Sequence, residues 1–288
     1  MKRIVILGCE NSHANHFLRA IKEDAKYSEY QVVGVYSKEH EAAEKLKNEF
    51  GVPVLNSYDE AVGKVDGVIV TARDGKYHYE YAKPYIKEGI PMFIDKPITV
   101  DKGEAVEFMK ELKANGIKVT GGSSLRQAAF IRTLKEEAEK NVGGKTVGGI
   151  VRAPLEINSI HSGFFFYAQH LVEMVTEVYG RYPISVKAVV TDHQKTVVFK
   201  YEDYDVVGIF YDKIYKYFAA RFTEEGTHGD VVELGDAFVR EFDVFNSLLD
   251  GKEQEMSYED FIAPVFIMNA INESLASGEE VKVERCEI

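Results

Sequence analysis

The sequence predicts an α/β protein: a doubly wound parallel sheet over residues 1–121, then a second α/β domain over residues 122–288 with a mostly antiparallel open sheet. Three observations carry this expectation. Short apolar runs rich in β-branched residues alternate with amphipathic helical stretches as far as Gly122. The spacing between those runs leaves room for a crossover helix, which parallel pairing requires. Beyond Gly122 the apolar runs instead follow one another across short polar turns, as antiparallel neighbours do.

The elements follow in order. "RIVILG" and "QVVGVYS" read as buried strands that end at Gly or Ser, and Ala14, Phe17, Leu18 and Ile21 recur between them at helical spacing. A helix is expected from Glu39 to Phe50, closed by Gly51. "VPVL", "VDGVIVT", "IPMFID" and "GIKVTGG" continue the strands. Helices are expected over Tyr58–Val62, His78–Lys87 and Lys102–Ala114. In the second domain a helix over Ala128–Lys140 precedes the strands "VGGIVRAPLEI", "SVKAVVT", "KTVVFKY", "VVGIFY" and "YFAARFTEE". Two helices close the chain, one over Asp236–Leu249 and one striped by Phe261, Val265, Met268, Ile271 and Leu275.

Composition excludes some functions. The 288 residues, 45% hydrophobic, suffice for two ordinary domains. Lys and Arg number 35 against 47 Asp and Glu, a net charge of -12 that would repel a phosphate backbone, so no nucleic-acid partner is expected. Cys9 and Cys286 lie at opposite ends of the chain and suggest neither a disulfide framework nor a metal knuckle. The apolar run of "MKRIVILG" is short for a signal peptide, and none reaches the roughly 18 residues of a membrane span. A cytoplasmic protein with no membrane partner is the expectation.

The stretch "ILGCENSHANHF" joins the first strand to the first helix, where a dinucleotide fold places three glycines. Gly8 keeps the first position, while Glu10 and His13 fill the other two. A carboxylate about 5 Å from a phosphate charge costs on the order of 3 kcal/mol at an effective dielectric near 20, so Glu10 must point away or the diphosphate must shift. The helix N-terminus still attracts an anion, with Asn11, Ser12 and His13 as side-chain donors. The other reading is that Asn11 and Ser12 merely cap the helix and His13 lies on its surface. After the second strand, Ser37 and Lys38 replace the acid that would hold the ribose of NAD. A hydroxyl and a cation suit a 2′-phosphate, so NADP is expected over NAD unless this is an ordinary polar loop. Glu10, His13 and His16 have spacing that could place them on one helix face, but nothing matches a zinc motif, and no metal is expected.

The segment "VDGVIVTARDGKYHYEYAKPYIKEGIPMFIDKPIT", with His78 leading a helix and Asp95-Lys96-Pro97 closing a strand, resembles the Gfo/Idh/MocA family of oxidoreductases. "GGSSLRQ" is similar to the family's entry into its second domain, and "GDAFVREFDVFNSLLDGKE" with "AINESLASGEEVKV" to its ending. The resemblance implies a Rossmann domain and an α/β domain used for oligomerisation, here as a homo-oligomer such as a dimer or tetramer. It implies Thr71, His78, Asp95, Lys96 and Arg126 at the cofactor, and Lys96 and His170 as catalytic groups. The family's usual aspartate, one turn before that histidine, is Phe166 here, which cannot orient an imidazole.

The residues themselves allow this chemistry. Lys96 stands at the end of a buried strand, where doubly wound sheets bind ligands, and a lowered pKa would let it exchange the proton that accompanies hydride transfer. An imidazole such as His170 suits acid–base work. Tyr167 and His161 would supply the hydrogen bonds Phe166 cannot, and Arg126 is a further candidate for substrate. The expected function is an NAD(P)-dependent oxidoreductase acting on a hydroxyl or carbonyl of a sugar, polyol or related small molecule. The alternative is a non-catalytic binding or regulatory protein on the same scaffold.

Overall fold

The computed structural model describes residues 1–192 and 194–288. The first sheet forms from β1 (Lys2–Leu7), β2 (Tyr30–Tyr36), β3 (Gly67–Val70), β4 (Met92–Asp95) and β5 (Val119–Gly122). Its order is β2-β1-β3-β4-β5, every pair parallel. The helices α1 (Ser12–Glu23), α2 (His40–Phe50), α3 (His78–Ala82) and α4 (Lys102–Ala114) connect these strands. Continuous apolar runs suit these strands because both faces are covered. Val5, Leu7, Val68 and Val70 face one core, and Ile4, Ile6 and Ile69 face the other.

The second sheet contains β6 (Thr146–Leu155), β7 (Ser185–Val190), β8 (Lys195–Lys200), β9 (Asp205–Asp212), β10 (Tyr217–Thr223), β11 (Gly226–Val232) and β12 (Glu280–Lys282). Its order is β11-β10-β6-β9-β8-β7-β12, antiparallel except for the β6–β9 pair. One face carries α5 (Ala129–Glu139), α6 (Phe165–Tyr179) and the second half of α8 (Tyr258–Ser277). Among the described residues no helix covers the other face, and Val147, Val189, Phe222 and Val231 are exposed on the strands of the sheet.

The chain returns to the first sheet after the second is built. Phe242 and Phe245 of α7 (Ala237–Leu249) enter the core of Phe17 and Phe93, and Phe261, Ile262 and Val265 of α8 pack beside Phe108. A single cut at residue 121 therefore does not separate the two bodies.

Several elements differ from expectation. Residues 58–62 are turns, and "VPVL" contributes one bridge, Val35 to Val54, in place of a strand. The helix from His78 is α-helical only to Ala82 and continues as a 3-10 turn, because Pro84 lacks the N–H that an α-helix needs. α6 shows no helical stripe because it is buried from Ala168 through Tyr179, so apolar residues surround it. β11, "GTHGDVV", is an exposed edge strand with little apolar patterning.

Candidate active site

Gly8 serves packing. It has φ +78°, and a Cβ there would lie 2.3 Å from the Ala72 Cα, so no other residue fits the approach of β1 to β3. Its amide and that of Cys9 both donate to the Tyr36 carbonyl, and its own carbonyl accepts from Thr71 Oγ1 at 3.0 Å. Thr71 thus braces strand ends through its side chain.

Asn11 caps α1: its Oδ1 accepts from the Ser12 amide, while its Nδ2 donates to Asp95 at 2.7 Å. Ser12 is exposed at the first turn, and the amides of His13 and Ala14 have no intrahelical acceptor. His13 corrects both sequence readings, since its side chain neither faces a cofactor nor lies on the surface. It is 3% exposed, with Nδ1 3.1 Å from Asp95 and Nε2 3.3 Å from Glu241. These contacts are close but poorly aligned, so they act as ionic attraction more than as directed hydrogen bonds. Burial pulls His13 down, but the Asp95 and Glu241 carboxylates outweigh it and hold the imidazole at about 9.

Glu10 turns toward the end of β2. Its Oε2 accepts from Ser37 Oγ at 2.6 Å and its Oε1 from the Arg73 amide at 3.0 Å, while the Arg73 guanidinium donates to its carbonyl. Lys38 is bound to neighbours: its Nζ is 3.3 Å from Glu80 and 3.7 Å from the centre of the Tyr77 ring.

His78 is internal too. Its Nε2 lies 2.8 Å from the Ala72 carbonyl and its Nδ1 3.2 Å from that of Ile98, joining the segments after β3 and β4. Burial pulls its pKa down. Arg126, expected at cofactor and substrate, is bound to neighbours within the protein. Its Nε bonds Glu177 at 2.7 Å and lies 3.4 Å from Glu173, and its Nη1 bonds the Gly121 carbonyl. It lines a polar cleft with Lys135, Arg181 and Glu255, apart from Lys96. A buried guanidinium needs such partners, and its Nη2 adds a contact to the Met256 sulfur.

Lys96 and His170 do converge. Lys96 Nζ donates to the Phe166 carbonyl at 3.3 Å and sits 4.5 Å from the Phe166 ring and 5.4 Å from that of Tyr167. The His170 ring is 5.4 Å from the other side of this cluster at Tyr167, and 5.9 Å from Tyr217. Burial lowers the Lys96 pKa, with Asp95 opposing; burial and then the Lys96 charge push His170 well below the usual imidazole range. Asp95 is held below its ordinary value despite burial, because His13 faces it, and its Oδ1 accepts from the Lys96 amide.

The partner expected for His170 was Tyr167 or His161. It is Ser123, whose Oγ lies 2.6 Å from Nδ1 and also accepts from the Leu125 amide. Beneath it, Glu173 accepts from the Ser123 amide, and burial, offset by Arg126, raises that carboxyl to about 7. Ser123 stood in the quoted "GGSSLRQ", but only the fold shows that it meets α6. His161 is on a strap, residues 156–164, that crosses to the first domain through a Ser162–Asp74 hydrogen bond. It lines a cleft of about 240 Å³ with Glu10, Lys38, Arg73 and Tyr77.

Residues 2–123 match the oxidoreductase family model with an NAD-binding Rossmann fold. The N-terminal domain belongs to the Gfo/Idh/MocA oxidoreductase family. No curated protein matches the chain in sequence. Among solved structures, myo-inositol 2-dehydrogenase from Lactobacillus plantarum superposes with TM-score 0.86 at 17% identity, covering 98% of this chain and 99% of that one. Scyllo-inositol dehydrogenase from Lactobacillus casei, with bound NAD(H) and scyllo-inositol, gives 0.85 at 15%, covering 98% and 99%. A myo-inositol dehydrogenase from Corynebacterium glutamicum gives 0.82 at 16%, covering 99% and 100%. These chains share the two-domain fold throughout.

For the Gfo/Idh/MocA domain the implied group is a nicotinamide dinucleotide, and the residues present fit it. The first turn of α1 has free amides and no acidic residue, and Arg73 and Lys76 add cations to the cleft. The cleft, about 240 Å³, is smaller than the roughly 300–1,000 Å³ of most ligand sites. Among the described residues no cluster of His, Cys, Asp or Glu has metal-ligand geometry, and no helix is long and apolar enough to cross a membrane.

Proposed function

We propose that the protein is a nicotinamide-dependent dehydrogenase that interconverts a hydroxyl and a carbonyl of a sugar, polyol or related small molecule. The observation that carries this reading is the meeting of Lys96 and His170 around Tyr167, at the strand ends of an oxidoreductase-family Rossmann domain. The bound nicotinamide supplies the hydride acceptor or donor. The protein's own groups handle position and proton. Lys96, its pKa lowered by burial, takes the hydroxyl proton at Nζ during oxidation and returns it during reduction. His170, held neutral and oriented by Ser123, hydrogen-bonds the same or the adjacent oxygen. Tyr167 and Tyr217 close the sides and exclude water.

The inositol dehydrogenases that share the fold make cyclic polyols the first substrates to test. NADP was expected from Ser37 and Lys38, but Lys38 is held by Glu80 and Tyr77, which weakens that support. A second copy covers the bare sheet face around Phe222 and Val231. The free Cys9 and Cys286 suit a reducing cytoplasm. The test is turnover on an inositol and sugar panel with NAD and NADP, beside Lys96→Ala. Activity should fall by about 10² to 10⁴ in the variant. Equal activity in both proteins would overturn the catalytic assignment. The rival reading, a non-catalytic binding protein, draws on Phe166 covering Lys96, and predicts ligand binding without turnover.

A further inference from the structure

We infer that Glu10, from the loop after β1, does the work of the missing acid at the end of β2: it accepts the hydroxyls of the adenosine ribose and selects NAD against NADP. The inference rests on the dehydrogenase reading above. In a dinucleotide fold an acid at the end of the second strand accepts the ribose 2′-hydroxyl. The residues directly after β2 here are Ser37 and Lys38, and the acid that follows them, Glu39, stands exposed three residues beyond the strand end. The Glu10 carboxylate comes to this place from another loop, 2.6 Å from Ser37 Oγ, and is braced on its other oxygen by the Arg73 amide at 3.0 Å.

Each oxygen thus has one partner, and a carboxylate has about four acceptor sites, so capacity remains for two hydroxyls. Side chain and bracing are half-buried on the wall of the cleft that also holds Lys38, Tyr77 and His161. A diol gains a charge-assisted acceptor here, whereas a 2′-phosphate meets a like charge. Of the lysines on the cleft, Lys38 is committed to Glu80 and to the face of Tyr77, and Lys76 is paired with Asp74 at 3.0 Å. Arg73 gives its guanidinium to the Glu10 backbone carbonyl. Glu10 therefore escapes the repulsion expected of an acid in a phosphate loop by standing beside the ribose, where a single negative charge is useful.

The experiment is calorimetric titration of the full chain with NADH, NADPH and reduced nicotinamide mononucleotide, for wild type, Glu10→Gln and Glu39→Gln. Glu39 is the other carboxylate on the cleft that follows β2, so its variant controls for general charge. Wild type should prefer NADH by about 100-fold, and Glu10→Gln should shrink that ratio about 10-fold or more, chiefly by improving NADPH. Glu39→Gln should leave the ratio in place, and mononucleotide affinity should be the same in all three. NADH binding with an unchanged ratio in Glu10→Gln, or a wild-type preference for NADPH, overturns the inference alone. Binding of neither dinucleotide overturns the dehydrogenase reading and this inference with it.

Discussion

Replacing Arg126 by Met separates a structural role from a ligand role. The guanidinium is buried and bonded to Glu177 and the Gly121 carbonyl, with Glu173 at 3.4 Å. Met keeps the stem and removes the charge, so Glu173 loses its compensating partner, while Glu177 keeps Lys135 and Arg181. Breaking a buried pair on one side costs about 3–5 kcal/mol, and a chain of this size loses about 2 °C of Tm per kcal/mol, so Tm should fall by about 6–10 °C. The loss depends on pH. Glu173 is raised to about 7, mainly by burial, so its charge, and its need for Arg126, appear above that value. The wild-type advantage should be larger at pH 8 than at pH 6. Glu177 is held well below its ordinary 4.5 because Arg126, Arg181 and Lys135 outweigh burial, and its share of the stability disappears as pH falls below 4.5. Thermal scans at pH 4, 6 and 8 make the measurement. An unchanged Tm together with lost cofactor affinity would refute this account and return Arg126 to the binding site.

Other perturbations give distinct outcomes. Because burial lowers the Lys96 pKa, the rate of alcohol oxidation should rise with pH through a value below the ordinary lysine range, and Lys96→Ala should abolish that limb. The pH profile near 6.5 should be flat, since His170 is neutral there, and His170→Gln should lower the rate without reshaping this region. Ser123→Ala should reduce kcat about 5- to 50-fold, the loss of one buried hydrogen bond, with cofactor affinity unchanged. Placing Asp at Phe222 and Val231 together should convert a dimer or tetramer into a monomer by light scattering, and a wild-type monomer at micromolar concentration refutes the interface.

The parallel sheet was legible because its strands are buried on both faces, and so appear as uninterrupted β-branched runs closed by Gly or Ser. α6 was not, for the same reason: burial on all sides erases the stripe by which a helix is recognised. Lys96 and His170 were expected from the sequence as catalytic groups, and the fold brings both to Tyr167. Ser123, Glu173 and Glu241 were not, because their meaning lies in partners far along the chain. The same holds for Lys38, whose charge suggests a phosphate site until Glu80 is seen beside it.

His13 shows how a departure from the glycine pattern is accommodated, and it yields a prediction of its own. The third glycine of a dinucleotide loop lets α1 approach the sheet. An imidazole occupies that place because Asp95 of β4 and Glu241 of α7 offer it two carboxylates, and Phe238 an edge contact at 4.9 Å. The arrangement ties the loop, the strand that presents Lys96 and the returning helix into one unit. Its stability should vary with pH in a defined direction. Burial opposes the charged ring, but the two carboxylates prevail and lift its pKa from 6.5 to about 9. A group raised on folding contributes fully below its unfolded pKa, and the contribution fades as pH rises through the folded one. The shift corresponds to about 3 kcal/mol, which includes the matching depression of Asp95, because both describe one interaction. Glu241, raised by burial, also loses stability with rising pH, but from 4.5 upward, so the comparison belongs above pH 6. Denaturant unfolding of wild type and His13→Gln from pH 6 to 9.5 should show a gap that is greatest near pH 6 and closes toward 9.5. A gap that stays constant across this range means that His13 is neutral and that its fit in the helix, not its charge, replaces the glycine.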